Sequence, residues 1–538
     1  MRWKTVVTTG VLLALCGALT YPASADGGVR SAHRTSPAPV LGTGTVLFVD
    51  LHRVARLRNV RRTYLTGTKV QVDDRPLGQV AVDPVLSYQG SDPAADAADG
   101  DKDVDSSSLL GVSSVMEEQV NHQPLYRMWL RSGSSTGYRE STDGLHWHIH
   151  DPDSVIVVPD VIGAKVVKDP RTGSYYLLGW NKKKEHYVEF ISSDGIHFTP
   201  TSDFAGLLAQ LSGDVINATA DPVTRTIYAI AKQKGTYGRL CRRSPRTLSG
   251  GRTFGVNASS TPSRDDHPSS ARSWRNLPRA VSADCIDELS VPSVSGTTRP
   301  AQLYGMPFMR YGDQFIGFPW IFRITRTTGN ERAGITDGPV DTQIASTPNV
   351  ASVPWRRAEA AARVGGRRAR PSLIQRGSAG AWDDGMIFGQ AGLVTVGGKM
   401  MLYYSGWDGT HLQAPGRRAR VGAVTWRPDG FVGLKVVTSA RMGSVVTREF
   451  RIPSTGYARD LHVNVALKSG RRLRVAVLYG STDQAIPGFD ASRSTVVMGD
   501  RGNAVIRWRG VRLGHLRTRN LRLAFSYGSG TLFSFRVH

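Results

Sequence analysis

The chain has 538 residues, 40% of them apolar, 8% aromatic and 21% charged, an ordinary globular composition that excludes a wholly disordered, collagenous or disulfide-knotted protein. Lys and Arg outnumber Asp and Glu by 68 to 44, a formal charge of +24. The basic residues are scattered in short groups (53–62, 367–370, 417–420, 471–474, 517–522) with no visible nucleic-acid-binding module, so a nucleic-acid partner is not expected. Two readings of the excess remain: adhesion to an anionic surface such as a cell envelope or acidic glycan, and a coding bias toward Arg, Ala and Gly.

Residues 1–25 read as a signal peptide. Arg2 and Lys4 form a basic start, an apolar stretch follows, and Ala23-Ser24-Ala25 fits the small-x-small cleavage rule. The mature chain is then expected to begin at Asp26, with a linker over 26–42, and to be secreted and extracellular. Leu15 precedes Cys16 where lipid attachment needs a small residue. No later segment approaches the ~20 apolar residues of a membrane-spanning helix. Cys241 and Cys285 remain, as one disulfide or as two thiols. Neither sits in a CxxC or beside a His, and no metal or other cofactor is expected.

From Gly42 to Asp429 the pattern is strand after strand. Val46-Leu47-Phe48-Val49, Tyr175-Tyr176-Leu177-Leu178, Ile227-Tyr228-Ala229-Ile230 and Met401-Leu402-Tyr403-Tyr404 are short apolar and aromatic runs separated by Gly, Asp, Pro and Ser. Only 204–211 and 356–364 read as helical. Two motifs repeat in fixed order. Asp169-Pro170 with Tyr175-Tyr176 recurs as Asp221-Pro222 with Ile227-Tyr228, and Ser141-Thr142-Asp143-Gly144-Leu145-His146-Trp147 recurs as Ser192-Ser193-Asp194-Gly195-Ile196-His197-Phe198. A period of about 50 residues matches a four-stranded propeller blade. Asp143 and Asp194 are expected to cap turns, and Trp147 and Phe198 to pack between blades. The whole stretch accommodates five blades. Insertions fall at 91–108 and 254–278; the alternating aspartates of 99–105 lack the glycine and glutamate of an EF-hand. Beyond Phe431 the motif stops, and strands near 445–450, 461–467, 473–479, 504–508, 521–527 and 532–537 read as a separate β-sandwich. The expected fold is therefore all-β: a five-bladed β-propeller over 43–430 followed by a C-terminal β-sandwich over 431–538.

This arrangement resembles the five-bladed glycoside hydrolases related to families 32, 43 and 68, and most closely family-32-like bacterial proteins. The resembling segments are Leu47-Phe48-Val49-Asp50, Tyr126-Arg127-Met128-Trp129, Tyr304-Gly305-Met306-Pro307, Asp341-Thr342-Gln343-Ile344-Ala345, Trp382-Asp383-Asp384-Gly385-Met386-Ile387, Tyr403-Tyr404-Ser405-Gly406-Trp407-Asp408-Gly409 and Asp429-Gly430-Phe431-Val432. Trp-Met-Asn-Asp-Pro, Arg-Asp-Pro and Glu-Cys-Pro, which carry catalysis in the fructan enzymes, are missing. The resemblance implies a secreted glycosidase acting on a carbohydrate, without implying which one.

Such a glycosidase needs two carboxyl groups flanking the scissile bond, one protonated and one ionised. The resemblance places them where innermost strands begin, near Ser113, Lys165, Asp214, Tyr304 and Asp384. Asp214 has no counterpart in the preceding repeat. Asp383 and Asp384 are neighbours, so in an extended segment only one lines the funnel. Asp214 and Asp384 are the leading catalytic candidates, with Asp341 third. Asp50, Tyr304, Gln343, Asp383, Trp407, Asp408 and His411 are candidate substrate-binding residues; for Asp50 a structural ion pair and for Trp407 an inter-blade position compete. His146, His148 and His150 alternate in one stretch but are not expected to hold a metal. A non-catalytic carbohydrate-binding propeller at the cell envelope is the alternative, and a transferase or phosphorylase on the same fold a weaker third.

Overall fold

The computed structural model describes residues 38–41, 44–70, 72, 111–132, 135–148, 156–157, 161–181, 183, 186–203, 215–231, 250–255, 279–284, 286–287, 301–327, 336–350, 354–360, 362–364, 367–411, 419–456 and 458–538. Asp214, Cys241, Cys285, His150, the acidic loop 99–105, the helix-like stretch 204–211 and the leader lie outside them. The described chain is all-β apart from single turns of helix, such as the 3-10 turn Leu513–Leu516, and residues 39–538 form one compact unit.

Three successive four-stranded antiparallel meanders come first. They are Gly111–Val120, Gln123–Ser132, Ser135–Ser141 and Ile156–Val157; then Val161–Lys168, Tyr175–Asn181, His186–Ser192 and Thr199–Asp203; then Ile216–Asp221, Thr226–Ala231, Gly250–Gly255 and Arg279–Ser282. A fourth group has strands broken in two. Phe308–Tyr311, Gln314–Gly317, Ala345–Thr347 and Arg356–Arg357 form one sheet, while Ala301–Gly305, Trp320–Arg323 and Val340–Thr342 join the next group. Pro307 and Pro319 lie at the breaks, where a missing N–H interrupts the ladder. The fifth group is Met386–Gly389, Val394–Val396, Lys399–Trp407 and Ala419–Trp426, with Thr68–Val70 from the start of the chain on its outer edge.

The repeated turn has the same hydrogen bonds twice. The Ser141 hydroxyl accepts the Gly144 N–H, and Asp143 Oδ1 accepts the N–H groups of Leu145 and His146; Ser192 and Asp194 do the same for Gly195, Ile196 and His197. Gly144 and Gly195 have φ of 72° and 83°, which a glycine adopts without strain. Each turn then docks on a neighbouring sheet. The Gly144 carbonyl accepts the Tyr403 hydroxyl at 2.6 Å, and the Gly195 carbonyl accepts Trp129 Nε1–H at 2.8 Å. Trp147 packs edge-on against Tyr403 at 5.4 Å, while Phe198 packs in the cluster that holds Trp129 and Tyr138. The repeat is thus both a local cap and an inter-sheet clamp.

Toward the C-terminus two larger sheets face each other. One runs Val60–Tyr64, Val432–Val436, Gly530–Val537, Leu461–Leu467, Asp500–Ile506, with Val46–Leu47 beside Gly530–Val537; the other runs Val54–Arg58, Met442–Thr447, Asn520–Gly528, Arg472–Tyr479, Val497–Met498, with Phe450–Arg451 beside Asn520–Gly528. Val46, Leu434, Val463, Val475, Phe525 and Phe535 from both sheets share one apolar core. Trp508, fully buried, donates its indole N–H to the Val475 carbonyl at 2.9 Å.

Two sequence expectations are corrected. Residues 356–364 are not helical: Arg356–Arg357 pairs with Ala345 and Ser346, and Ala362–Val364 forms a hairpin with Arg367–Ala369. The strands of residues 46–64 were expected with the repeats that follow them, but they pair with the C-terminal sheets. Phe48 explains this choice: it is fully buried in the C-terminal core, 6.3 Å from Phe535. Asp143→Ala removes two backbone caps and is expected to cost roughly 1–2 kcal/mol, read as a lower urea midpoint, with Asp143→Asn losing less.

Candidate active site

The described candidate residues fall into five separate environments. The first is an aromatic patch. Tyr304 is the last residue but one of Ala301–Gly305, Trp407 ends Lys399–Trp407, and His411 lies four residues further on. Tyr304 packs edge-on against Phe322, Phe388 and His411, with ring centroids 6.2, 5.8 and 5.7 Å away, and Trp407 reaches Phe388 at 5.7 Å. Tyr304, Trp407, Asp408 and His411 are half-buried. Val215 and Met386 pack in the same cluster as Tyr304 and Trp407. In the chain, Asp214 immediately precedes Val215 and Asp384 stands two residues before Met386.

The second environment joins two candidates. Asp341 is 6% exposed; Arg323 Nε–H donates to its Oδ2 and Arg376 Nε–H to its Oδ1, the latter at 3.0 Å. Arg376 also donates to the Asp384 carbonyl at 2.8 Å, so one guanidinium couples both segments. The Asp384 carboxylate is half-buried, and its Oδ2 accepts the Gly380 N–H at 2.6 Å. Asp341, held by two guanidiniums, is an anchored anion, whereas Asp384 carries a lighter load.

The neighbouring Asp383 belongs to a third environment. It is 2% exposed, and its Oδ2 accepts Lys69 Nζ–H at 2.5 Å and the Tyr404 hydroxyl at 2.7 Å. Lys69 sits on the edge strand Thr68–Val70, so this pair fastens the start of the chain to the fifth group of strands. Burial and the Asp383 carboxylate together push the Tyr404 hydroxyl well above the ordinary phenol range. The adjacent aspartates thus divide their work, but they do so in a turn before the strand Met386–Gly389 and not in the extended segment that the alternation argument assumed.

Gln343 and Asp50 lie elsewhere. The Gln343 side-chain oxygen accepts an Arg357 N–H at 2.6 Å, and Arg357 in turn pairs with buried Asp287. Asp50, 4% exposed, accepts the His52 Nδ1–H at 2.6 Å, and His52 Nε2–H reaches Asp313 at 3.0 Å. Burial alone would lower the His52 pKa, but the hydrogen bonds and charges of Asp313 and Asp50 outweigh it and raise it to about 9. Burial likewise raises Asp50, and the His52 contacts more than offset that, leaving it below its ordinary value. The ion-pair reading of Asp50 is the one its geometry matches. His146 Nδ1 is bonded to its own turn carboxylate, Asp143, at 2.6 Å, and among the described residues no group of three or more His, Cys, Asp or Glu could hold a metal ion.

Sequence reasoning missed the partners: Lys69, Arg323, Arg357 and Arg376 are far from their carboxylates in the chain or unremarkable in an Arg-rich sequence. It named Lys165 only as a strand start and passed over Asn217 and Gln390. Lys165 Nζ–H donates to the Ser113 carbonyl at 2.8 Å and to Gln390 Oε1 at 2.6 Å, and all three are buried. A lone lysine inside Val161-Ile162-Gly163-Ala164-Lys165-Val166-Val167 was the available signal. Glu189, pushed up to about 7 by burial, had none, and it does not line the cavity that Lys165 lines.

The chain matches no protein-family model and no curated protein. It is similar to solved glycoside hydrolase structures. A family-43 protein from Bacillus licheniformis is 10% identical, covering 80% of this chain and 98% of that chain with a TM-score of 0.33. A thermostable family-43 glycoside hydrolase is 10% identical, covering 61% and 94% with a TM-score of 0.37. A structure from the family-130 mannoside phosphorylases, described as containing glycoside hydrolases that target beta-1,2 mannosidic linkages in Candida mannan, is 14% identical, covering 68% and 95% with a TM-score of 0.35.

Two stability predictions follow from these pairs. Lys69→Met leaves Asp383 buried without its cation and is expected to cost somewhat less than the ~3–5 kcal/mol of a fully enclosed broken pair, because Lys69 is partly exposed; in urea unfolding, adding Asp383→Asn recovers part of that loss. His52 binds its proton more tightly folded (about 9) than at its ordinary 6.5. Its stabilisation, of order 3 kcal/mol, is therefore complete below pH 6.5 and lost as pH rises through 9. Unfolding midpoints measured from pH 6 to 10 should fall across that window, and His52→Gln should flatten the fall.

Proposed function

We propose that this protein is a glycoside hydrolase built on a five-bladed β-propeller and a C-terminal β-sandwich, kin to families 32, 43 and 68. The propeller comprises the three meanders and the two linked groups, and the sandwich comprises the two sheets that share the Phe48 core. The observation that carries the reading is the half-buried pair Tyr304 and Trp407, with His411 against Tyr304, in one cluster with Val215 and Met386, which follow Asp214 and Asp384 in the chain by one and two residues. Aromatic faces with convergent polar groups suit a sugar ring. Asp214 and Asp384 are assigned as the catalytic pair, one donating a proton to the leaving oxygen and the other, ionised, attacking the sugar or activating water; their separation sets retention or inversion. Trp407, Tyr304, Asp408 and His411 would hold the sugar, and Asp341 would position Asp384 through Arg376. The leader-like residues 1–25 support action outside the cell on a polysaccharide or oligosaccharide.

One observation favours a second reading, carbohydrate binding without hydrolysis. Asp50, Asp341 and Asp383 are all engaged by cationic side chains, so chemistry would rest on Asp214 and Asp384 alone. Chromatography of products from fructans, arabinans and bacterial wall glycans separates the two. Hydrolysis predicts released sugar, a fall of roughly 10²–10⁴-fold in kcat for Asp214→Asn or Asp384→Asn, and sugar binding retained by both variants. Binding to a glycan with no product, unchanged by those substitutions, establishes the second reading.

A further inference from the structure

The positive charge is concentrated toward the C-terminal end of the chain. Residues 431–538 carry 18 Lys and Arg against 5 Asp and Glu, a formal +13 that is more than half of the total +24. Four of those five carboxylates are taken up by arginines: Asp460 by Arg507, Asp483 by Arg56 and Arg522, Asp490 by Arg493, and Asp500 by Arg427. The strand register shows where part of the surplus gathers. Arg58 pairs across to Ser444, Ser444 to Ser526, and Ser526 to Arg474, one rung running across Val54–Arg58, Met442–Thr447, Asn520–Gly528 and Arg472–Tyr479. Val445, Phe525, Tyr527, Leu473 and Val475, their neighbours along the strands, point into the shared core. The rung therefore lies on the opposite, outward face of the sheet.

This rung places guanidiniums at both ends of a pair of hydroxyls. Arg58 and Arg474 stand three strand spacings of ~4.8 Å apart, about 14 Å. Arg58 is exposed, and half-buried Arg474 is steadied by the carbonyls of Ala491 and Ser492 at 3.0 and 2.8 Å. The next rung adds exposed Arg472 with Met442 and Met498, 51% and 45% exposed. The stem of Arg471 crosses the space over Gly528, where a Cβ would come within 2.9 Å of it. Among the described residues none of Arg58, Arg471, Arg472 and Arg474 forms an ion pair, the nearby carboxylates being held by other arginines. Four uncompensated guanidiniums on one face attract polyanions, and their planar forks match carboxylates two bonds at a time. These rungs hold no aromatic ring on which a nucleic-acid base could stack, and their centre is serine hydroxyl, not the apolar wedge that enters a lipid surface. A uronic acid carries its carboxylate and its hydroxyls on the same ring, which matches hydroxyl beside guanidinium along the rung. We propose that this sheet face is a docking surface for a uronate-bearing polysaccharide, holding the protein on an acidic glycan. None of the residues assigned to hydrolysis lies on these four strands.

Binding of the whole protein to immobilised polygalacturonate at low salt tests this, with neutral arabinan, a glycerol-phosphate polymer, duplex DNA and phosphatidylglycerol vesicles as comparators. Polygalacturonate is expected to bind most tightly, and salt at ~1 M, where the Debye length falls to ~3 Å, to release it. Arg58→Gln with Arg472→Gln should weaken the binding about tenfold or more. Ser526→Glu, which sets a carboxylate in the middle of the rung, should abolish it, and both variants should keep the parent melting temperature. Arg61→Gln with Lys435→Gln removes the same charge from an exposed cross-strand pair on the other sheet and should leave binding intact. Asp384→Asn should bind as the parent does, so loss of the hydrolase reading does not touch the result. No binding of polygalacturonate, equally tight binding of arabinan, the phosphate polymer, DNA or vesicles, or equal weakening by the two double variants would each overturn the proposal.

Discussion

Residues 46–70 are the constraint on which the rest of the chain depends. Within 25 residues they lay Val46–Leu47 beside Gly530–Val537, give Val54–Arg58 and Val60–Tyr64 to the edges of the two C-terminal sheets, and give Thr68–Val70 to the edge of the fifth group of strands. Each placement covers a row of backbone groups that would otherwise template association. Polar contacts lock the placement. Asp313 N–H donates to the Thr45 carbonyl at 3.1 Å, at a turn where Gly312 has φ of 63° and a Cβ would meet that carbonyl. His52 and Arg53 hold the same Asp313, and Lys69 holds Asp383. The first strands can find these partners only once the last are made, which ties the fold to contacts of very long sequence separation.

That closure explains why so many of the chain's carboxylates serve structure. A buried carboxylate needs a cation or several donors, and an Arg-rich chain supplies guanidiniums readily. Asp287 with Arg357 and Arg370, Asp221 with Arg310, and Asp460 with Arg507 join strands distant in sequence. Tyr311 and Ser534 both donate to Asp429, bridging the repeats and the C-terminal sheets.

The part of the fold legible from sequence was the part that repeats locally. Ser-x-Asp-Gly announces its own hydrogen bonds, because serine, aspartate and glycine satisfy one another within four residues, and the strands after Phe431 announced themselves by alternation. The strand-broken fourth group was harder, since Pro307 and Pro319 interrupt its strands and no repeat motif marks them. Among site residues, the turn and aromatic positions were legible by type, but the division between Asp383 and Asp384 was only half so. Alternation separates neighbours only in an extended segment, and these two lie in a turn before Met386–Gly389; nor does it say that Lys69, more than 300 residues earlier, claims one of them.

The same reasoning orders the carboxylates by their freedom to do chemistry. A group that must meet a substrate cannot also be saturated by fixed cations, because each charge-assisted bond holds the carboxylate in one place. Asp50, Asp341 and Asp383 are each committed in this way, and their partners are themselves fastened into strands or closing loops. Asp384 is tied by one backbone N–H and stands beside Gly385, where a Cβ would collide with the Gly409 backbone. The main chain is therefore pressed tightly at the point where the carboxylate is lightly held. A rigid backbone beneath a lightly bonded side chain is the arrangement that positions a reactive group without neutralising it, and among the described candidate carboxylates Asp384 meets that condition best.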